Sequence, residues 1–284
     1  MNKNNKELDE QIEHELTMQY IQENCHIDID KKIEHPPVAF SYGTKEVETI
    51  DGLKHFPIPI GTYGNFSFIQ APPKSMKTFF VSLISSCYAN SNCQYTGEMD
   101  SFRGDRHLIH FDTEQGEWHS QRVFRRVKQM NPNTDLKKFY HTFALRQVSY
   151  KERIDFIEYY LKNMVSEEKK VGLVIIDGVA DLVSDANNLE ESNLLVQKIM
   201  TWTTVYDCHI VTVIHSNWGS DKPTGHLGSF LEKKTETQIK LEFDNLTRAV
   251  VVSCKRSRNG AFKDFVFKLN ERALPFIMPT IEEF

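Results

Sequence analysis

From residue 65 onward the chain alternates between short apolar runs and longer stretches with helical spacing. NFSFIQA (65–71), RHLIHFDTE (106–114), FYHTFALR (139–146), VGLVIIDGV (171–179) and HIVTVIHS (209–216) read as strands. VGLVIIDGV is nearly all apolar, as a parallel strand buried on both faces must be. Between these runs KTFFVSLISSCYANS, WHSQRVFRRVKQM, YKERIDFIEYYLKNM and LEESNLLVQKIMTWTTVY read as helices. After residue 216 the texture changes. NWGSDKPTGHLGS is a Gly/Pro/Ser loop, TQIKLEFD and RAVVVSCKR form an antiparallel pair joined by NLT, and DFVFKLNE adds a further strand. The expected fold is α/β, a mostly parallel central sheet flanked by helices with an antiparallel C-terminal extension.

Residues 1–55 differ from this. ELDEQIEHELTMQYIQEN has apolar residues spaced for a short amphipathic helix, and HPPVAFSYG ends the pattern because proline excludes helix continuation. FPIPIGTYG continues extended and rich in turns. The expected division is a helical arm and linker at 1–55 and a core with a C-terminal tail at 56–284. An isolated helix of that length is marginal in water, so the arm is expected to pack on its own core or on a neighbouring copy. The ending LPFIMPTIEEF is expected to pack on the sheet rather than dock a partner.

The formal net charge of −5 over 284 residues gives no global positive field, so any nucleic-acid contact must be local. Five scattered cysteines without a C-x-x-C pair, and no histidine cluster at zinc spacing, argue for reduced thiols and against a zinc site. No apolar run reaches the roughly 18 residues that a membrane span needs, and the N-terminus lacks an apolar signal core. The expected location is the cytoplasm.

The candidate chemistry sits at strand ends. QAPPKSMKTFF has the length and ending of a phosphate-binding loop, but Ala71 and Met76 stand where G-x-x-x-x-G-K-[ST] has glycine. In such a loop, between a buried strand and a helix, backbone N–H groups and the helix N-terminus converge on an anion. Lys77 would reach the outer phosphates and Thr78 would hold Mg²⁺, with Ala71, Pro72, Pro73, Lys74, Ser75, Met76 and Phe79 completing the loop. An ordinary strand-turn-helix with a surface lysine fits the loop alone equally well.

Asp177 ends the central apolar run, at the sheet edge where ligands of open α/β sheets gather, and there an acid can hold the water shell of Mg²⁺. The bland alternative is an Asp-Gly turn. Asp112, Glu114 and Glu117 end a second strand. Asp112 and Glu114 share a face, and Glu114, nearer the end, is the candidate general base for an attacking water, against a merely solvated acidic loop. His215 ends a third strand as a candidate γ-phosphate sensor or a structural residue. Lys255, Arg256 and Arg258 are either phosphate-reaching cations or a solvated basic turn.

Taken together, the order of these segments resembles the RecA-like P-loop ATPases, and among them the DnaB/RepA branch of hexameric replicative helicases, over roughly residues 55–272. QAPPKSMKT resembles a Walker A loop, FDTEQ the segment with the catalytic glutamate, VGLVIIDG a Walker B strand, and KRSRNG the family's finger segment. The resemblance implies ATP and Mg²⁺ at Lys77, Thr78 and Asp177, Glu114 activating water, and His215 sensing the γ-phosphate. It also implies Arg256 and Arg258 reaching a neighbouring copy's nucleotide in trans, Arg256 standing where the helicases usually have lysine. Loop 217–228, with Asn217, Lys222 and His226, would line a channel for single-stranded DNA. The short N-terminal arm resembles the plasmid, phage or mobile-element forms, and a hexameric ring with primase or initiator partners is implied. The competing readings are a RecA-like recombination ATPase that does not unwind, and a non-hydrolysing scaffold.

Overall fold

The computed structural model of the chain describes residues 3–164, 169–217, 220 and 222–279. The chain divides into two units, Met1–His35 and Pro36–Phe284. The first unit contains helix α1 (Lys3–Cys25). Ile12, Leu16 and Tyr20 recur at four-residue spacing on it, forming one exposed apolar stripe.

The second unit begins with a hairpin, β1 (Val38–Thr49) and β2 (Gly52–Thr62). The expected arm ending at residue 55 is therefore corrected: the break between units falls at 35/36, and 38–62 belong to the core unit. Charged residues in 44–56 and the prolines obscured the strand pattern. Pro57 and Pro59 lie on β2, an edge strand, where a missing N–H breaks no ladder bond. The turn joins Thr49 to Gly52, and Gly52 has φ +103°, a conformation glycine adopts without strain.

The remaining elements follow the expected alternation. They are β3 (Phe66–Ala71), α2 (Lys77–Ala89), β4 (Met99–Ser101), β5 (His107–Asp112), α3 (Glu117–Met130), β6 (Tyr140–Ala144), α4 (Tyr150–Met164) and β7 (Val171–Asp177). Then come α5 (Leu189–Val205), β8 (His209–His215), α6 (Gly225–Lys234), β9 (Thr237–Asp244), β10 (Ala249–Ser257), β11 (Phe265–Leu269) and β12 (Pro275–Ile277). The main sheet has the order β12-β11-β10-β9-β3-β8-β7-β5-β6. From β9 to β6 all neighbours are parallel, and from β9 to β12 all are antiparallel. The expected mixed architecture is observed. β12 carries the C-terminal segment onto the sheet beside β11, while residues 280–284 of the expected tail lie outside the described residues.

Alternation along the central strands builds two core layers. Leu173 and Ile175 of β7 face the α2 side with Phe80, Leu83 and Ile84. Val174 and Ile176 face α4 and α5 with Ile157, Leu161, Ile199 and Trp202. Each such side chain contributes about 1.5–3 kcal/mol by leaving water. This two-sided burial explains why the parallel strands are so uniformly apolar, and it fixes their C-terminal ends at one edge. In register, Ala71 lies beside His215 and Asp112 beside Asp177. No described helix is long and apolar enough to cross a membrane.

Candidate nucleotide-binding site

The loop after β3 keeps a left-handed turn without its glycines. Lys74 has φ 62°, and Met76, the N-cap of α2, has φ 64° and ψ 26°. That conformation costs an L-residue about 1–2 kcal/mol. Met76 offsets part of this by packing its partly buried side chain against the α2-side core. Its carbonyl accepts from Phe79 N (3.0 Å) and Phe80 N (3.2 Å), which starts the helix. Ser75 Oγ donates to the Pro72 carbonyl and closes the loop. The turn therefore forms with methionine in place of glycine.

Lys77, 8% exposed, folds back onto the loop. Its Nζ donates to Pro72 O at 2.9 Å and Ala71 O at 3.4 Å, and lies 3.0 Å from His215 Nδ1. Burial lowers its pKa to about 8, against the opposing pull of Glu114 and Asp177. Asp177 is driven the other way, up to about 7, first by burial and then by the nearby Asp112 and Glu114 carboxylates. Lys77 and a hydrogen bond from Thr78 oppose that rise.

Glu114 stands across the cleft, with Oε1 3.6 Å from His215 Nε2. Its hydrogen bond with His215 holds it below the usual carboxylate range, with Lys77 and Arg146 acting in the same direction against burial. The expected shared face of Asp112 and Glu114 is not observed. The strand stops at Asp112, whose buried Oδ1 turns back to accept the Glu114 N–H (3.1 Å) and Gln115 N–H (2.9 Å). Asp112 thus shapes the turn that delivers Glu114. Thr113 fastens the same turn to β7, donating through N and Oγ1 to Asp177 O, both at 3.0 Å.

The donor set fits a divalent cation shared with phosphate. Asp177 Oδ2 is buried and has no partner among the described residues, beside a hydroxyl and surplus negative charge. No group of three or more His, Cys, Asp or Glu side chains among the described residues could hold a metal alone. Mg²⁺ suits such a sparse site, because it takes much of its octahedral shell from water and phosphate oxygens.

These residues line a cleft of about 530 Å³, with Lys74, Ser75, Met76, Lys77, Thr78 and Phe79 on one side. Ala71, Pro72 and Pro73 do not line it; Ala71 is fully buried, and its carbonyl serves Lys77 and the Ser216 N–H. The opposite wall is α3, through His119, Arg122, Val123 and Arg126. None of these four was a candidate from the sequence, although His119, Arg122 and Arg126 recur at helical spacing after Glu114. Arg126 spans the two helices, donating to Ser82 Oγ at 3.0 Å and stacking over Phe79 at 3.9 Å. Burial lowers its pKa to about 10.

The remaining candidates lie elsewhere. Arg256 and Arg258 are on or just after β10, beyond β9 from the loop strand, and line no part of this cleft. Arg256 Nη2 is 3.5 Å from Glu232 Oε1, and Arg258 Nη2 donates to Lys234 O at 3.0 Å. Asn217, Lys222 and His226 are exposed, while Trp218, Gly219 and Asp221 of the same loop lie outside the described residues. The loop's base is tied to the cleft, because Thr224 N (3.0 Å) and Oγ1 (2.8 Å) both donate to His215 O. The segment read as a loop through residue 229 becomes helix from Gly225, where φ is +68° and a Cβ would meet Ala186 O at 2.5 Å.

The model of the AAA domain family matches residues 61–221, from the end of β2 through the loop after β8. The chain belongs to the AAA domain family. Among solved structures, the ATPase domain of a DnaB-like helicase superposes with a TM-score of 0.54 at 12% identity, over 76% of this chain and 84% of that one. The flagellar accessory protein FlaH from Methanocaldococcus jannaschii gives 0.53 at 10% identity, over 77% and 91%. No curated protein matches. The AAA domain described here has the RecA-like fold and is a P-loop ATPase.

Proposed function

We propose that this AAA domain hydrolyses Mg²⁺-ATP to move along single-stranded DNA, in the manner of DnaB/RepA-type replicative helicases. The observation that carries the reading is the meeting of Lys77, Thr78, Glu114, Asp177 and His215 around one cleft. In this reading Lys77 exchanges the Ala71 and Pro72 carbonyls for the β- and γ-phosphates. Lys74, Ser75, Met76, Thr78 and Phe79 form the rest of the cradle, their backbone amides and the α2 N-terminus facing the phosphates. Thr78 and Asp177 hold Mg²⁺, which when bound neutralises charge building on the phosphate oxygens.

Glu114 accepts the proton of the attacking water. Its depressed pKa keeps it ionised at neutral pH, and position rather than basicity supplies its effect. His215 touches Lys77 through one ring nitrogen and faces Glu114 with the other, so occupancy of the γ-phosphate position changes both contacts. Its carbonyl holds the start of α6, which connects that change to loop 217–228, with Asn217, Lys222 and His226 as contacts to DNA. Arg256 and Arg258, remote from the cleft of their own chain, serve the nucleotide of an adjacent copy in a hexameric ring. The setting proposed is replication of a mobile element in the cytoplasm, with primase or initiator partners.

The test is ATP turnover by the full chain with and without single-stranded DNA, together with strand displacement on a forked duplex. Turnover that rises with DNA, accompanied by displacement, supports the motor. DNA-stimulated turnover without displacement replaces it by a non-unwinding recombination ATPase. Absence of nucleotide binding replaces it by a scaffold.

A further inference from the structure

Glu236, between α6 and β9, is a carboxylate only 4% exposed with no lysine or arginine among its described ion-pair partners. Burying such a group is costly unless hydrogen bonds satisfy it. Here Oε2 accepts the Thr62 N–H at 2.9 Å, Oε1 accepts Thr62 Oγ1 at 2.6 Å, and Oε1 also accepts Asn259 Nδ2 at 2.5 Å. The main chain at the same point is pinned on both sides. Glu236 N donates to Phe66 O at 2.8 Å, and Arg258 N donates to Glu236 O at 3.0 Å. One residue thus joins the end of β2, the start of β3 and the segment that follows β10.

That segment has little else to shape it. The β9–β10 register slips between Cys254 and Arg256, and the last pair is Ser257 with Thr237. Beyond it the chain leaves the sheet, Asn259 N donates to Ser257 Oγ at 3.1 Å, and Gly260 turns with φ +98°. The guanidinium groups of Arg256 and Arg258 are carried on this short turn, tied lightly to α6 through Glu232 and Lys234.

We propose that Glu236 is a positioning residue which, through Asn259, fixes the turn bearing Arg256 and Arg258 at the reach needed to meet a second copy's nucleotide. This rests on the reading above, in which those arginines act in trans. A glutamine at 236 would satisfy Thr62 equally well. The carboxylate's added value lies in its further acceptor capacity, which binds the Asn259 amide in a charge-assisted bond.

The test exchanges the polarity of the pair. Asn259→Asp sets two carboxylates against each other, while Glu236→Gln with Asn259→Asp restores an amide-to-carboxylate bond in the reverse sense. Asn259→Ala, at a half-buried site, removes the donor with the least risk to folding. Mg²⁺-ATP binding, kcat and Tm are measured on the full chain, with Arg258→Ala alongside. The expected result is nucleotide affinity within about twofold of the parent in every variant. In Asn259→Asp and Asn259→Ala, kcat falls by at least about tenfold, toward the Arg258→Ala value. The double exchange recovers most of that kcat. Unchanged kcat in Asn259→Ala while Arg258→Ala is impaired overturns the positioning role alone, as does a loss in Asn259→Asp that the double exchange does not recover. Full turnover in Arg258→Ala overturns the trans reading instead.

Discussion

The nucleotide cleft and the Arg256–Arg258 turn are built on the same sheet but on different terms. In the cleft, each candidate side chain meets another from a different strand: Lys77 meets His215, His215 faces Glu114, and Thr78 meets Asp177. In the turn, the arginines meet only surface groups of α6, and their anchorage comes from Glu236 behind them. A site whose members already interact can be assembled by one chain. Cations held ready on a turn, with no anion of their own fold to serve, make chemical sense when another molecule brings the phosphate.

The sharpest break between these regions is expected from Lys77 and Glu114. Lys77→Ala should abolish turnover together with Mg²⁺-ATP affinity, both read by phosphate release and equilibrium titration. Glu114→Gln should lower kcat by about 10²–10⁴-fold while binding persists, because it removes only a proton acceptor. Arg258→Ala should behave differently again. Its kcat should fall by about 10³-fold, with nucleotide affinity kept. Mixing it with Lys77→Ala should restore part of the turnover, since each variant supplies what the other lacks. Mixtures no more active than the separate variants would erase the distinction between the two regions.

A smaller effect concerns pH. Lys77 must be charged to hold phosphate, and its pKa near 8 means affinity falls as pH rises through that value, by up to about tenfold per unit. Asp177 must be ionised to hold metal, and its pKa near 7 means Mg²⁺-dependent affinity falls as pH drops through that value. Mg²⁺-ATP titrations should therefore show tightest binding between about pH 7 and 8. Because the raised Asp177 pKa favours the protonated folded state, stability without ligand should decline as pH rises from the ordinary carboxylate range up through about 7, and Mg²⁺-ATP should restore it. The smallest effect is at Met76. Glycine there removes roughly 1 kcal/mol of left-handed strain but also the packing on the core and some chain stiffness. Met76→Gly should change stability by less than about 1 kcal/mol by thermal melts and tighten nucleotide binding by less than about tenfold.

Much of this architecture was legible because burial on both faces leaves a plain signature. The runs ending at Ala71, Asp177 and His215 were uniformly apolar up to a polar terminus, and all three termini meet at one sheet edge. The hairpin of β1 and β2 was not legible, because its outer half is solvated on both faces and carries no alternation; the Asp51-Gly52 pair at its tip was the available signal. The roles of Asp112 and Glu236 were hidden for another reason. Each acts by accepting hydrogen bonds from distant or folded-back main chain, and no spacing rule announces such a bond. The α3 wall lay between these cases: its basic residues were visible as a helix face, but nothing local said which face met the cleft.

The most direct measurement is turnover of Mg²⁺-ATP by the purified full chain, beside Lys77→Ala, with binding titrated on the same samples. We expect the parent to bind and hydrolyse ATP and the variant to do neither, which would show that a left-handed methionine serves where glycine is usual. A parent chain that neither binds nor hydrolyses ATP between pH 7 and 8 would contradict the account: the turn at Met76 would then keep the shape of a phosphate loop without its chemistry.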